Sequence, residues 1–258
     1  MKENGREVRT AVKTEEIAII DVHAHILPEV DDGARNMEEA LTMARLAVGQ
    51  GIRHVIATSH SLDRGENIPS ERVMYQAELL CKELKKKEIP LKISTGQEIF
   101  YFDRANECLK NGTICTMAGS SYVLVEFFPK VSFRELYQGV RKLQQARYWP
   151  ILAHVERYAC LRSKEQLAEM SELGVYMQMN YTSLEGNFWN RDTQWCRKVL
   201  EAGQIHFLGT DMHRSQGSRA PQTQKAMEWM RRKLPESRVR ELVWDNPQKI
   251  LRGEKIEL

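Results

Sequence analysis

Seven short apolar runs recur along this chain, each followed by a stretch of helical periodicity or a capping signal. This alternation constrains the fold more than any other feature. The runs fall at 17–20, 52–58, 91–95, 122–127, 151–153, 175–179 and 205–209. The fourth, Tyr122-Val-Leu-Val-Glu-Phe127, is apolar on both faces, which suits a strand covered by helices in a parallel sheet. Between the runs, Asn36 with Glu39 and Ser163 with Gln166 mark helix starts, and Gly51, Gly174 and Gly203 mark helix ends. Further helices are expected from Ser70 to before Pro90, over 103–111, over 132–147 and over 190–202. The tail from Pro221 reads as helical, with Pro235 and Pro247 as interruptions. Strands separated by crossover helices make one parallel α/β domain closed as a barrel, and 258 residues fill such a barrel without a boundary.

The bulk numbers exclude several classes. A net charge of +3, with no basic block longer than Lys85-Lys86-Lys87, argues against nucleic acid as a partner. No apolar run approaches the roughly 20 residues that span a bilayer, so no transmembrane segment is expected. Residues 1–16 are polar and lack the apolar centre of a signal peptide; they read as a flexible extension before a single domain over 17–258. The five cysteines form no Cys-x-x-Cys pair and are odd in number, as in cytoplasmic proteins that keep free thiols. None is followed six positions later by arginine, which removes a cysteine phosphatase from consideration.

The places where the strands stop carry the chemistry. Strand one runs into His23 and His25, two residues apart and so on one face of an extended backbone. Strand two ends at His60, strand three at Glu98, strand four in Glu126 and strand five at His154. Strand six stops at Asn180, and strand seven runs into Asp211 and His213. In β/α barrels this C-terminal rim is where catalytic residues from several strands meet. His54 and His206 fall within strands and are read as structural. Five imidazoles and three carboxylates exceed what one catalytic ion needs, so two or three ions bridged by carboxylates are expected. Mixed nitrogen and oxygen donors without thiolate suit Mn²⁺, Fe or Zn²⁺. Such a cluster activates water and clamps a phosphoester, which makes a hydrolase the leading class. Arg157 and Arg219, in loops beside these residues, can bind phosphate oxygens through their guanidinium forks.

These residues, in this order, resemble the PHP (polymerase and histidinol phosphatase) superfamily. Within it they are most similar to the manganese-dependent bacterial protein-tyrosine phosphatases encoded with capsule and exopolysaccharide assembly genes. The matching pieces are Asp21-Val-His23-Ala-His25-Ile-Leu-Pro-Glu-Val-Asp31-Asp32-Gly33, Ala57-Thr-Ser-His60, Gly96-Gln-Glu98-Ile, Glu126-Phe, His154-Val-Glu-Arg157-Tyr158 and Gly209-Thr-Asp211-Met-His213. The resemblance implies a distorted (β/α)7 barrel of the PHP type, akin to a TIM barrel. It implies a trinuclear cluster, Mn²⁺ before Fe or Zn²⁺, held by His23, His25, His60, Glu98, Glu126, His154, Asp211 and His213. Asp32 matches an active-site carboxylate, and Arg157 and Arg219 match phosphate-binding arginines. The implied substrate is phosphotyrosine on the tail of a cognate bacterial tyrosine kinase. The chain departs from the family pattern at Ser59, Val155 and Arg214, where proline, proline and asparagine are usual; none of these removes a ligand.

The expected reaction is in-line attack of activated water on phosphorus without a phosphoenzyme, with Asp32 or a neighbouring histidine as the candidate general acid. Two alternatives stand beside it. One is a PHP phosphoesterase acting on histidinol phosphate or a nucleotide. The other is a metal-binding module that docks a kinase without turnover.

Overall fold

The computed structural model describes residues 17–63 and 66–257. The extension expected at 1–16 lies outside them. Seven parallel strands form one sheet in sequence order: β1 (Ile19–Ala24), β2 (Ile52–His60), β3 (Lys92–Phe100), β4 (Tyr122–Glu126), β5 (Trp149–Leu152), β6 (Tyr176–Asn180) and β7 (Phe207–Gly209). Closure comes just beyond the strand ends, where Ala24 bridges Met212. There the His25 N–H donates to the Met212 carbonyl at 2.9 Å and the Asp211 N–H to the His23 carbonyl at 2.8 Å. The expected barrel is therefore present, nearly closed and tightest at its C-terminal rim.

Strand alternation sorts the apolar residues into two cores. Val22, Ile56, Leu124, Ile151, Tyr176 and Phe207, from six of the strands, fill the barrel interior. Their neighbours, such as Val123, Val125 and Ile99, face the surrounding helices. Residues near the C-terminus seal the N-terminal mouth. The Tyr122 hydroxyl donates to the Glu254 carbonyl at 3.0 Å and accepts the Ile256 N–H at 2.9 Å. Ile250 and Ile256 pack beneath the interior core. With the lower mouth plugged by apolar side chains, the polar residues collect at the opposite rim.

The helices around the barrel are α1 (Met37–Gly49), α2 (Ser70–Lys86), α3 (Ala105–Lys110), α4 (Phe133–Gln145), α5 (Lys164–Glu172), α6 (Arg191–Glu201), α7 (Gln224–Lys233), α8 (Glu236–Arg240) and α9 (Asn246–Arg252). Asn36 caps α1 by accepting the Glu39 N–H at 2.9 Å. The Glu39 carboxylate turns to Arg35 instead of completing a capping box. Pro247 does not interrupt the tail as expected. It sits in the first turn of α9, which continues from α8 through a π-helical turn at Glu241–Asp245. The wider π-helical ladder just before Pro247 accommodates a residue that cannot donate an i→i−4 bond. His54 and His206 are structural, as expected. His54 Nε2 bonds the Ser94 hydroxyl at 2.9 Å, and His206 Nδ1 accepts the Met177 N–H at 2.9 Å.

Three strands run well past their apolar runs: β1 extends to Ala24, β2 to His60 and β3 to Phe100, with His60 paired to Glu98 and Phe100 to Glu126. A short antiparallel hairpin, Leu62–Asp63 with Glu66–Asn67, follows β2 and was not expected.

Candidate metal centre

All eight predicted ligands, together with Asp32, Arg157 and Arg219, meet at the C-terminal rim. Among the described residues, donor atoms gather in three groups: His25, Asp32, His60 and His213; His23, His25 and Asp211; and His60, Glu98 and Glu126. His25 belongs to two of these groups and His60 to two, so the three are joined. Glu98 lies at the middle. Its Oε2 is 3.2 Å from His23 Nε2, 3.3 Å from His25 Nε2 and 3.3 Å from His60 Nδ1, and its Oε1 is 2.8 Å from His154 Nε2. His154 also approaches Glu126 Oε2 at 3.4 Å. Asp32, expected as an active-site carboxylate apart from the ligands, stands within a donor group.

The backbone is bent to achieve this. The register between β1 and β2 shifts between Asp21 and Ala24, the kind of irregularity that re-aims a side chain, and His23 lies within it. His154 and Asp211 occupy the left-handed region, with φ of 33° and 53°. Each such residue costs on the order of 1–3 kcal/mol and persists only where its surroundings hold it. The His154 N–H donates to Gln178 Oε1 at 2.7 Å, and Asp211 is held through the His23 carbonyl. Gly33 must be glycine because a Cβ there would stand 2.2 Å from the His25 carbonyl oxygen.

Partners behind the donors decide which ring nitrogen each histidine presents. His23 Nδ1 bonds Gln178 Oε1 at 3.1 Å and His25 Nδ1 bonds Asp31 Oδ2 at 2.8 Å. An amide oxygen and a carboxylate both accept, so both Nδ1 atoms carry hydrogen and both Nε2 atoms turn to the cluster. Those two Nε2 atoms are 3.3 Å apart. His213 Nδ1 donates to the Asp211 carbonyl at 2.8 Å, which leaves its Nε2 as an acceptor 3.3 Å from Asp32 Oδ1. Both of these last atoms are buried without a hydrogen-bond partner. Two acceptors facing each other at that distance, out of water, are arranged for a cation. The donor set therefore fits metal ions.

Charge follows the same plan. Burial alone would raise the Glu98 carboxyl, but His23, His154 and His25 hold it well below the ordinary carboxylate range. Burial also opposes ionisation of Asp31, yet His25 and His60 bring it down to about 2. The nearby His213 and His60 rings, with the Arg219 guanidinium, hold the Asp32 carboxyl well below the ordinary carboxylate range. Against burial, Glu126 and Glu98 lift His154 to about 9. The carboxylates are thus anions, and a bound cation would take the place of protons on these rings. The arginines complete the balance: Arg157 Nη2 bonds Asp211 Oδ2, and Arg219 Nη1 bonds Asp32 Oδ2 at 3.0 Å. Both side chains are nearly half exposed and can reach an incoming anion.

Gln178 escaped the sequence, and the supporting parts played by Asn180 and Asp31 were not assigned from it. Gln178, fully buried in β6, serves both His23 and His154, and its Nε2 donates to Asn180 Oδ1 at 2.9 Å. Asn180 in turn donates to Asp211 Oδ2 at 3.0 Å. Asp31 also accepts the His60 N–H at 2.8 Å. The available signal was a glutamine within the otherwise apolar Val175-Tyr-Met-Gln-Met179. Of the departures from the family pattern, Arg214 has a visible role. Its guanidinium bonds the carbonyls of Asp32, Gly33 and His213, tying the loop that carries Asp32 to the loop after β7. Val155 is buried, and the buried Ser59 hydroxyl has no partner.

Comparison with known proteins agrees with this geometry. Tyrosine-protein phosphatase CpsB of Streptococcus pneumoniae is 31% identical over 247 residues, covering 92% of this chain and all of the relative. Tyrosine-protein phosphatase YwqE of Bacillus subtilis is 33% identical over 240 residues, covering 92% and 93% of the two chains. A solved structure from work on YwqE and CpsB, described as unique metal-dependent tyrosine phosphatases, superimposes with a TM-score of 0.85 at 32% identity, over 93% of this chain and 96% of the other. The family model for capsular polysaccharide synthesis, CpsB/CapC, matches residues 19–252, and the chain belongs to that family.

Proposed function

We propose that this protein is a metal-dependent protein-tyrosine phosphatase that acts on the phosphotyrosine tail of a bacterial tyrosine kinase in capsule or exopolysaccharide assembly. The observation that carries this reading is the trio of overlapping donor groups, with His213 Nε2 and Asp32 Oδ1 facing each other unpartnered beneath two arginines. His23, His25, His60, Glu98, Glu126, His154, Asp211 and His213 would hold two or three ions; the mixed nitrogen and oxygen donors suit Mn²⁺, Fe or Zn²⁺, and Mn²⁺ is put first on the resemblance to the manganese-dependent phosphatases. When bound, such ions lower the pKa of water and neutralise phosphate charge. Arg157 and Arg219 bind the phosphate oxygens, exchanging their bonds to Asp211 and Asp32 for bonds to substrate. Asp32 or a neighbouring histidine is the proposed proton donor to the leaving oxygen. A tyrosine phenolate, with a pKa of about 10, leaves with less protonation than an alkoxide would need.

No helix among the described residues is long and apolar enough to cross a membrane. Five free cysteines suit the cytoplasm, which is the proposed location. Residues 17–258 are proposed to act as one unit.

The test is hydrolysis of a phosphotyrosyl peptide beside histidinol phosphate, after metal removal and again after adding Mn²⁺. Release of phosphate from the peptide alone, restored by Mn²⁺, is the expected result. Release from histidinol phosphate alone would move the protein to the small-molecule phosphoesterases. Inactivity with every divalent metal tried would point to a non-catalytic docking module.

A further inference from the structure

Asp21 is a buried carboxylate that the reaction above does not use. It lies on β1 two residues before His23 and is fully buried. Its Oδ1 accepts the Thr210 N–H at 3.0 Å and the His23 N–H at 3.2 Å, and its Oδ2 accepts the Thr210 hydroxyl at 2.5 Å. All of these partners donate, an arrangement that suits the ionised form of a carboxyl group. Other carboxylates of the rim face a basic side chain: Asp31 and Glu98 face His25, Glu126 faces His154, Asp32 faces Arg219 and Asp211 faces Arg157. Asp21 differs. Among the described residues no lysine, arginine or histidine side chain pairs with it.

The barrel seam fixes its place. β1 and β7 are joined by a single bridge, Ala24 with Met212, and yet they approach closely: a Cβ on Gly209 would stand 2.5 Å from that of His23. Thr210 follows β7 directly, and its Oγ1 accepts the Met212 N–H at 3.2 Å. The Asp21 carboxylate thus stands in for missing ladder bonds, at the point from which His23, His25, Asp211 and His213 leave the two strands. Hydrogen bonding alone does not require an acid there. An amide oxygen could accept both N–H groups while its nitrogen donates to Thr210 Oγ1. What an amide lacks is the charge, and a buried anion that neither water nor an opposite charge compensates is costly.

We infer that Asp21 is an outer counter-anion of the metal centre, its buried charge balanced by ions held at His23, His25 and Asp211 and not by any side chain. The inference rests on the reading that this rim holds metal ions, and it adds to them a charge outside the donor groups. Neutralising Asp21 should therefore act oppositely on the two states, relieving the metal-free fold and weakening the loaded one.

The test compares wild type, Asp21→Asn and Thr210→Val, each stripped of metal and titrated with Mn²⁺ against a chelator, with urea unfolding of the metal-free proteins alongside. Asp21→Asn should bind Mn²⁺ about 10- to 100-fold more weakly, the loss typical of a change behind the ligands. Its metal-free form should unfold at the same urea concentration as wild type or a higher one. Thr210→Val keeps the carboxylate and removes one of its donors, so the metal-free midpoint should fall while Mn²⁺ affinity stays within about threefold of wild type. Mn²⁺ affinity of Asp21→Asn within about twofold of wild type would overturn the inference. A weaker affinity together with a lowered metal-free midpoint, or failure of this variant to fold, would mark a structural role and overturn it as well. So would a loss of about tenfold or more in Thr210→Val, which assigns the effect to the hydrogen bonds of the seam. Wild type that binds no Mn²⁺ defeats the metal reading itself, whereas wild-type binding with Asp21→Asn unaltered defeats the counter-anion alone.

Discussion

Replacing Gln178 with leucine should weaken metal binding without any ligand being touched. One side-chain oxygen accepts both the His154 N–H at 2.7 Å and His23 Nδ1 at 3.1 Å, in a fully buried position. Leucine has nearly the same volume, so packing is largely conserved and the loss is in hydrogen bonding. The left-handed backbone at His154 loses its buried acceptor, which costs about 1–3 kcal/mol. His23 loses the partner that commits hydrogen to Nδ1 and directs Nε2 into the cluster. Removal of such an orienting partner typically lowers metal affinity about 10- to 100-fold. Mn²⁺ affinity read by competition with a chelator should therefore fall by about that factor, while urea unfolding of the metal-free protein shifts by a few kcal/mol at most. Gln178→Glu keeps an acceptor oxygen in place and should bind Mn²⁺ more tightly than the leucine variant. Affinity of Gln178→Leu within about twofold of wild type would refute the reasoning, since a predicted tenfold minimum could not hide in that range.

Three further outcomes follow from the same geometry. Arg157→Ala should lower kcat for a phosphotyrosyl peptide by about 100-fold in steady-state assays, as expected on losing a donor aimed at developing phosphate charge, with Mn²⁺ affinity little changed. Gly33→Ala forces a Cβ to within 2.2 Å of the His25 carbonyl oxygen, so the turn from His25 to Gly33 must open; a fall in Tm with weaker Mn²⁺ binding is the expected pair of readouts. His206, outside the site, is held neutral: burial, with Arg238 adding repulsion, lowers its pKa from 6.5 to about 4. The unfolded chain takes up this proton first as pH falls, so the stability is fully present above about pH 6.5 and is lost progressively down to about pH 4. The fall from 6.5 to about 4 corresponds to roughly 3 kcal/mol, and His206→Asn, which keeps an acceptor for the Met177 N–H, should flatten the dependence of urea unfolding on pH by about that amount. Parallel pH profiles for the two proteins would remove His206 from the account.

What the sequence revealed and what it hid divide along one physical line. Residues that announce themselves by type at a strand end, such as His60, His154 and Asp211, were legible because a barrel brings every strand end to one rim whatever the loops between them do. Apolar runs located the strands but under-measured three of them, since β1, β2 and β3 continue through His23, His60 and Glu98, and polar site residues carry no hydrophobic period. The residues that hold the ligands in place were silent for a different reason. Gln178 reaches across 155 positions to His23 and 24 to His154, and Arg214 crosses 181 to the Gly33 carbonyl. No local pattern encodes such pairings; they exist only once the sheet has closed. Donor identity is therefore a property of residue type and topology, whereas donor orientation, tautomer and substrate contact are properties of the closed barrel. A variant at Gln178 probes that second layer alone, because it should change metal affinity with every ligand left in place.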